Sequence, residues 1–402
     1  MSTATPNTPP PLARARRAYL IYFAASQAAF DRGLFILFLL AQGFDKNQIG
    51  ILQCTLFAAS FLSEVPLGVV GDIYGRKRTV ITGLLIFIGY CLGVISCSGL
   101  VAFLLLYAFY GLSMSLISGS DKALIYDELA RHGAEEEFIA IESRANMLGS
   151  ITLCGAIICG GYLQCISWDA VYLAYAGTLV ISLVAFLFVP SGEQTTHDAS
   201  AQKNDATKEA VVFFTKGNGK TLLPFFAFLG ILNFVFAPYY IFSQALFQEM
   251  GMATSQVAIV FSAAELAKAL GYSCSTTLHR WLGERNAFLS ISIVFSILLL
   301  LNFSGNMFLA LIAFLGSCSI VTSIEPIYTT HINHRFYGKI RATANSCDAF
   351  VQSMFTSAGF LAYGYIADGY SLHTIMTASS LLPLIATVFL LFYYQSATIR
   401  SH

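Results

Sequence analysis

The chain has little charge. Lys, Arg, Asp and Glu make up 11% of its 402 residues, against roughly 25% in a soluble globular domain. Such a chain would expose far too much apolar surface in water, so its solvent is lipid. No charge imbalance exists either. The 22 basic and 22 acidic residues cancel, which removes the basic footprint that nucleic-acid binding requires. Tryptophan is scarce: Trp168 and Trp281 are the two, and both fall near the ends of apolar runs, as interfacial anchors do. Nine cysteines are scattered without metal-ligand spacing. Most sit inside apolar runs, where cysteine behaves as a small hydrophobe. There is no Ser/His/Asp set and no phosphate loop. His132, His197, His279, His331, His334, His373 and His402 lie outside the apolar core. No enzyme activity, bound metal or cofactor is expected, and no cleavable signal, since the Pro/Thr/Ser-rich start leads through Arg14, Arg16 and Arg17 into a long apolar run.

What the chain has is apolar length. Hydrophobic residues make up 56% of it. A span needs about 20 apolar residues, and apolar runs fall near 17–41, 47–70, 79–97, 100–129, 139–164, 168–190, 221–247, 254–278, 286–303, 306–331, 342–366 and 372–395. In lipid each run must be a helix, because every backbone group needs an internal partner. The fold class is therefore an all-α polytopic membrane protein with twelve transmembrane helices. Lys and Arg set its orientation. With the N-terminus inside, the inner segments hold Arg76, Lys77, Arg78, Arg131, Arg144, Arg280, Arg285, Arg335, Lys339 and Arg341, whereas the outer loops hold only Lys46. Both termini are placed in the cytoplasm and the protein in the plasma membrane, a bacterial inner membrane.

A polar stretch divides the chain. Residues 191–220 read as a cytoplasmic linker between a six-helix bundle over 17–190 and another over 221–396, with cytoplasmic tails at 1–16 (disordered) and 397–402. The halves repeat. Gly43, Gln48 and Gly75 recur as Gly251, Gln256 and Gly283, each 208 residues on, and Ile125-Tyr126 recurs as Ile327-Tyr328 after 202. Two parallel pseudo-repeats with a substrate path between them are expected.

Between the second and third runs lies Gly68-Val69-Val70-Gly71-Asp72-Ile73-Tyr74-Gly75-Arg76-Lys77-Arg78. This loop resembles the signature of the major facilitator superfamily, G-x-x-x-D-x-x-G-R-[RK], with Gly68, Asp72, Gly75, Arg76 and Lys77 in place. The likeness extends over the apolar runs from residue 17 to about 395. It implies a gating latch: Asp72 near the N-terminus of the eleventh span at Arg341 to Asn345, where a carboxylate meets the positive end of a helix dipole, and Arg76 paired with Asp127. In the second half Arg280 and Glu284 stand at the positions of Asp72 and Arg76, so the latch is asymmetric.

Ionisable residues inside spans are costly and mark function. Asp31, Glu64, Asp121 and Glu325 are the candidates for proton coupling, with Asp31 the leading carrier. Arg32 and Lys122 are candidate partners in the substrate cavity, because a nearby cation opposes the effect of burial on a carboxyl group. Glu265 and Lys268, three apart on one face, are expected to pair; Asp348 lies in the eleventh span. On one continuous helix Asp31 and Arg32 would point about 100° apart. The seventh span is rich in aromatics, and Asn233, Tyr239 and Gln244, with Tyr328 in the tenth, are the polar handles expected to line a cavity for an amphipathic solute. The likeness to drug–proton antiporters of the superfamily is incomplete: Tyr107 stands where a basic residue precedes Gly111, and Gly160-Gly161 lack the Gly-Pro of the fifth-span motif.

The reading is a monomeric secondary active transporter working by alternating access. Proton-coupled export of a small amphipathic organic compound, such as a drug or a siderophore-like metabolite, is the leading form. Its partners are that solute, the proton or another coupling cation, and the bilayer. Proton-coupled uptake of a nutrient and a non-transporting membrane sensor or assembly partner are the alternatives.

Overall fold

A computed structural model describes residues 10–190, 223–335 and 339–400. The expected linker at 191–220 and the outermost residues of both tails lie outside the described residues. Among the described residues there is no strand. The helices are α1 (Pro10–Ser26), α2 (Phe35–Ala41), α3 (Lys46–Tyr74), α4 (Arg76–Ser96), α5 (Leu100–Ile117), α6 (Ser120–Arg131), α7 (Phe138–Leu163) and α8 (Trp168–Leu187), then α9 (Leu223–Glu249), α10 (Thr254–Leu300), α11 (Met307–Thr322), α12 (Ile324–Arg335), α13 (Lys339–Ala367), α14 (Leu372–Ala378) and α15 (Leu381–Arg400). Helix α1 reaches back to Pro10 and so takes in residues 10–16, which the expected boundary left in the tail.

Eight of the described helical segments are long and apolar enough to cross a membrane. One of them, Thr254–Ser304, has 51 residues. At 1.5 Å per residue it would be roughly 77 Å long, more than twice the hydrocarbon core. Gly283 resolves this by leaving the helix at φ 70° and ψ 170°, so the eighth and ninth apolar runs meet there.

Four apolar runs are not single helices, the twelfth being interrupted at Ser379-Ser380 between α14 and α15. The first breaks over residues 27–34, between α1 and α2. The fourth breaks at Ser118-Gly119, where Gly119 takes φ 76°, and the tenth breaks at Ser323.

The repeated residues do the same local work in each half. Gly75 and Gly283 both have positive φ, at 96° and 70°, as do Gly43 and Gly251, at 87° and 95°. Side chains rarely adopt such backbone, so glycine is required at all four. Gln48 reaches back from the first turn of α3 to accept the Asp45 N–H at 3.1 Å, and Asp45 accepts the Gln48 N–H at 2.7 Å. This is a capping box. Gln256 accepts the Ala253 N–H at 2.9 Å in the corresponding turn of α10.

The chain divides into two compact units. One gathers Met1–Phe38, Thr55–Thr195 and Ala253–Ser262; the other gathers Leu39–Cys54, Thr196–Met252 and Ala263–His402. The first is built around Tyr19, Tyr22, Phe103, Tyr172 and Phe186, and the second around Phe225, Phe226, Phe228, Tyr239, Phe242 and Phe247, all essentially without exposure. Lipid is as apolar as these side chains, so close packing rather than water exclusion joins the helices. Glycines make this possible. A Cβ on Gly271 of α10 would lie 2.1 Å from the Ser319 carbonyl oxygen of α11, and one on Gly111 of α5 would lie 2.5 Å from the Leu56 carbonyl oxygen of α3.

Candidate functional site

The break in the first span creates the most unusual site of the first unit. After α1 ends, the Arg32 N–H donates to the Ala29 carbonyl at 3.3 Å and the Leu34 N–H to the Asp31 carbonyl at 2.7 Å, while the Phe35 N–H donates to the same oxygen at 2.9 Å and starts α2. The segment is held by close packing. A Cβ on Gly33 would lie 2.8 Å from that of Phe261, and one on Gly160 of α7 would lie 2.0 Å from the Phe30 carbonyl oxygen. The expectation that Asp31 and Arg32 share a continuous helix is corrected here. They lie in non-helical turns, so the 100° relation does not apply to them.

Asp31 is half-buried and Arg32 exposed. Around Asp31, within electrostatic reach, stand Tyr90 of α4, Tyr107 and Tyr110 of α5, and Tyr172 and Tyr175 of α8. Four of them are at most 3% exposed. Tyr90 and Tyr110 stack with ring centres 4.6 Å apart, and Phe87 packs against Tyr110 at 4.8 Å and Tyr175 at 5.3 Å. Tyr172 is the phenol next to the Asp31 carboxylate, yet its hydroxyl closes no hydrogen bond in this conformation. A buried unsatisfied hydroxyl costs roughly 1–3 kcal/mol. Closure of the Tyr172–Asp31 bond would recover that energy. The sequence singled out Tyr107 but not the group. The available signal was the i, i+3 spacing of Tyr107/Tyr110 and Tyr172/Tyr175, which puts each pair on one helix face.

Asp121 and Lys122 sit just after the break in the fourth span. Asp121 is 5% exposed. Its carboxylate accepts the Tyr22 hydroxyl at 3.1 Å and the Lys122 N–H at 2.7 Å, in the first turn of α6, where a carboxylate meets the positive helix end. Lys122 turns elsewhere, to Glu142 of α7. Glu142 also accepts from the Tyr19 hydroxyl at 3.2 Å and from Asn146 at 3.3 Å. Glu142 was not anticipated; it lies at the margin of an apolar run and reads there as a solvated end.

At the signature loop, Gly75 caps α4, and Arg76 pairs with Asp127 of α6 at 2.6 Å, as the motif implied. Lys77 donates to the Leu187 carbonyl at 2.8 Å, pinning α4 to the end of α8. Gly68 and Asp72 lie in the last turns of α3. The side chains of Asp72 and of Arg341 to Asn345 are outside the described residues. Glu64 is exposed on α3.

In the second unit four polar groups from three helices form a chain. The Tyr328 hydroxyl of α12 donates to Asp348 of α13 at 2.6 Å, and the Gln352 amide donates to the same oxygen at 3.0 Å. Asn233 of α9 then donates to Gln352 at 2.9 Å. Asn233 and Tyr328 were expected cavity residues; Asp348 and Gln352 join them. Glu325 is exposed and accepts the Tyr272 hydroxyl at 2.6 Å. Glu265 and Lys268 pair at 2.7 Å, as expected, under Tyr240, whose hydroxyl donates to Glu265 at 2.9 Å and whose ring lies 4.5 Å from the ammonium. Tyr239 and Gln244 have no exposure, so in this conformation they line no open cavity. The aromatics of α9 pack inward: Phe225 and Phe228 against Phe288 at 6.0 and 5.7 Å, and Tyr240 and Phe247 against Phe314 at 5.6 and 5.3 Å. Among the described residues, no group of three or more His, Cys, Asp or Glu side chains could hold a metal ion.

Comparison with known proteins agrees with this architecture. The model of the Major Facilitator Superfamily matches residues 21–301. An uncharacterized MFS-type transporter of Bacillus subtilis (strain 168), YxaM, is 28% identical over 171 residues, 41% of each chain. The chain thus spans about two-fifths of that relative's length. Among solved structures, the nucleoside transporter NupG superposes with a TM-score of 0.74 at 14% identity, covering 96% of this chain and 99% of that one. A bacterial homologue of the iron transporter ferroportin, in an inward-facing state, gives 0.73 at 15% identity, covering 95% and 98%. At such identities the likeness is one of fold.

Proposed function

Because the chain belongs to the Major Facilitator Superfamily, whose members are transporters and not enzymes, we propose that it is a twelve-span secondary active transporter that exports a small amphipathic organic compound in exchange for protons. We assign its two bundles to residues 17–190 and 221–396, with 191–220 as a cytoplasmic linker, both termini on the cytoplasmic side and the protein in a plasma membrane. Solved structures of this fold include a nucleoside transporter and a bacterial homologue of an iron transporter, so cargo is argued from side chains.

The observation that carries the reading is Asp31 in the unwound centre of the first span, with Tyr172 beside it and four more tyrosines within electrostatic reach. Irregular backbone at membrane depth is tolerated only inside protein or beside water, and a carboxylate there is costly unless it works. We assign Asp31 the exchanged proton. When Asp31 is charged, Tyr172 can donate to it and Arg32 offsets its charge; when it is protonated, that attraction falls. The second carboxylate, Asp348, is held by Tyr328 and Gln352, and through Gln352 reaches Asn233. Of these, Asn233, Asp348 and Gln352, which keep partial exposure, are the ones offered to an organic solute, while Tyr328, 2% exposed, positions Asp348. Asp121 is held by Tyr22 and by the α6 terminus, which favours a structural role over proton exchange. The latch is assigned to Asp72 with the eleventh span and to Arg76 with Asp127.

Untargeted mass spectrometry of cells and medium, with the gene deleted and overexpressed in its own host, tests the direction. A compound that accumulates inside the deletion strain and outside the overexpressor supports export and names the cargo. A compound left in the medium by the deletion strain makes the protein an importer.

A further inference from the structure

A groove of about 760 Å³ runs between α1 and α8 in the first unit. Its two ends differ in chemistry. At one end stand Arg14 and Arg17, both exposed and three residues apart, hence neighbours on one helix face. Along the rest lie Ile21, Val180 and Val184, 53%, 45% and 48% exposed, over a floor that includes the buried Ala18 and Ala185. Phe188 closes the charged end, and the Arg14 guanidinium sits 5.0 Å from its ring. From Phe188 to Val180 the apolar wall is roughly 12 Å long at helical rise.

Arg14 and Arg17 are the fifth and eighth residues of α1. Arg16 of the same turn pairs with Glu137. No acidic side chain among the described residues forms an ion pair with Arg14 or Arg17. Two adjacent cations beside a furrow lined by exposed apolar side chains match a ligand with an anionic head and a hydrocarbon tail.

We propose that this groove holds an anionic phospholipid of the cytoplasmic leaflet, its phosphate between Arg14 and Arg17 and one acyl chain along Ile21, Val180 and Val184. The choice of leaflet rests on the orientation given under Proposed function, with the start of α1 inside; that leaflet carries the anionic lipids that attract basic residues near a membrane surface. A lipid held there would tie the first and sixth spans to the interface, within the unit that carries Asp31.

Native mass spectrometry of the full chain, delipidated in detergent, tests the site. Phosphatidylglycerol is titrated against phosphatidylcholine and inorganic phosphate. Phosphatidylglycerol is expected to stay bound in preference to phosphatidylcholine and not to be displaced by phosphate. In the double variant Arg14→Gln/Arg17→Gln its retention should fall roughly thirtyfold, from about a factor of five per basic side chain near the surface. Arg14→Lys/Arg17→Lys should keep most of the retention. Val184→Trp, which fills the furrow and leaves both charges, should also lose the lipid; elution of each variant as one species shows that it is folded. Equal retention of the two lipids, or unchanged retention in both the Gln and Trp variants, overturns the proposal. Full displacement by inorganic phosphate overturns it in favour of a simple anion site. Binding is read without cargo or proton gradient, so a failure of the transport reading leaves this result standing. An inverted topology would show in thiol labelling of intact cells and not in lipid retention.

Discussion

Replacing Gly160 by alanine adds one methyl group at the contact that holds the break in the first span. That Cβ would lie 2.0 Å from the Phe30 carbonyl oxygen and 2.9 Å from its carbon, where ordinary contact begins near 3.4 Å. The obstacle is backbone, which cannot rotate away like a side-chain tip. Either α7 or the segment bearing Asp31 must therefore move by about 1.4 Å. Overpacking of this kind costs typically 1–3 kcal/mol, and a contact this short with a carbonyl belongs at the upper end. Alanine gains about 1 kcal/mol over glycine inside a helix, which leaves a net loss of about 1–2 kcal/mol. Gly155 is the internal control. It lies on the same helix, and its added Cβ would meet nothing within 4 Å, so Gly155→Ala should be neutral or stabilising by up to about 1 kcal/mol. Thermal unfolding followed by size-exclusion recovery in detergent, on both variants side by side, reads the difference. Gly160→Ala should fall below the native protein and Gly155→Ala should not. Equal midpoints for the two variants would refute the packing argument.

Three further outcomes follow from other contacts. Tyr328→Phe removes the donor to Asp348 and should cost about 1.5–3 kcal/mol, as for a hydrogen bond to a charged group, read as a lower midpoint in the same assay; Asp348→Asn/Tyr328→Phe should cost less than the sum of the single changes, because one interaction joins them. Arg76→Asp alone should abolish flux in proteoliposomes while changing stability little, since an exposed ion pair contributes about 0–1 kcal/mol, and Arg76→Asp/Asp127→Arg should restore part of the flux; a double variant as inactive as the single would sink the pairing. Cys97 and Cys165 are exposed beyond the ends of α4 and α7; a membrane-impermeant maleimide should label both in intact cells, whereas labelling only after lysis would reverse the orientation.

Much of the fold is legible in the sequence because lipid leaves few options. Each apolar run had to be a helix, and the described parts of the runs are helical apart from the breaks, although only eight segments are long and apolar enough to cross a membrane. The repeated Gly43, Gln48 and Gly75 were visible as letters, and the structure gives their reason: positive φ and a helix cap needed twice. The break in the first run was not legible. Residues 27–34 contain Gln27, Asp31, Arg32 and Gly33, a polar interruption too short to separate from a functional patch on an intact helix. The breaks at Ser118-Gly119 and Ser323 carry local signals that were passed over: Gly119 takes a positive φ, and Pro326, three residues after Ser323, has no N–H to give the Thr322 carbonyl and crowds it. The Arg76–Asp127 pair was legible because a motif fixes it, and the Glu265–Lys268 pair because helical spacing does. The tyrosines around Asp31 were not, since they come from three helices whose rotation about their axes depends on packing. For the same reason the aromatics of α9, which composition would equally place on lipid or cargo, pack against Phe288 and Phe314.

The central claim is that Asp31 carries the proton exchanged for cargo. It is tested most directly by measuring proton movement and cargo flux together in proteoliposomes, for the native protein and for Asp31→Asn, with the compound found by the deletion comparison. The native protein is expected to acidify one compartment as cargo leaves it, and Asp31→Asn to exchange cargo down its own gradient with no accompanying proton movement. An unchanged ratio of protons to cargo in Asp31→Asn would contradict the account.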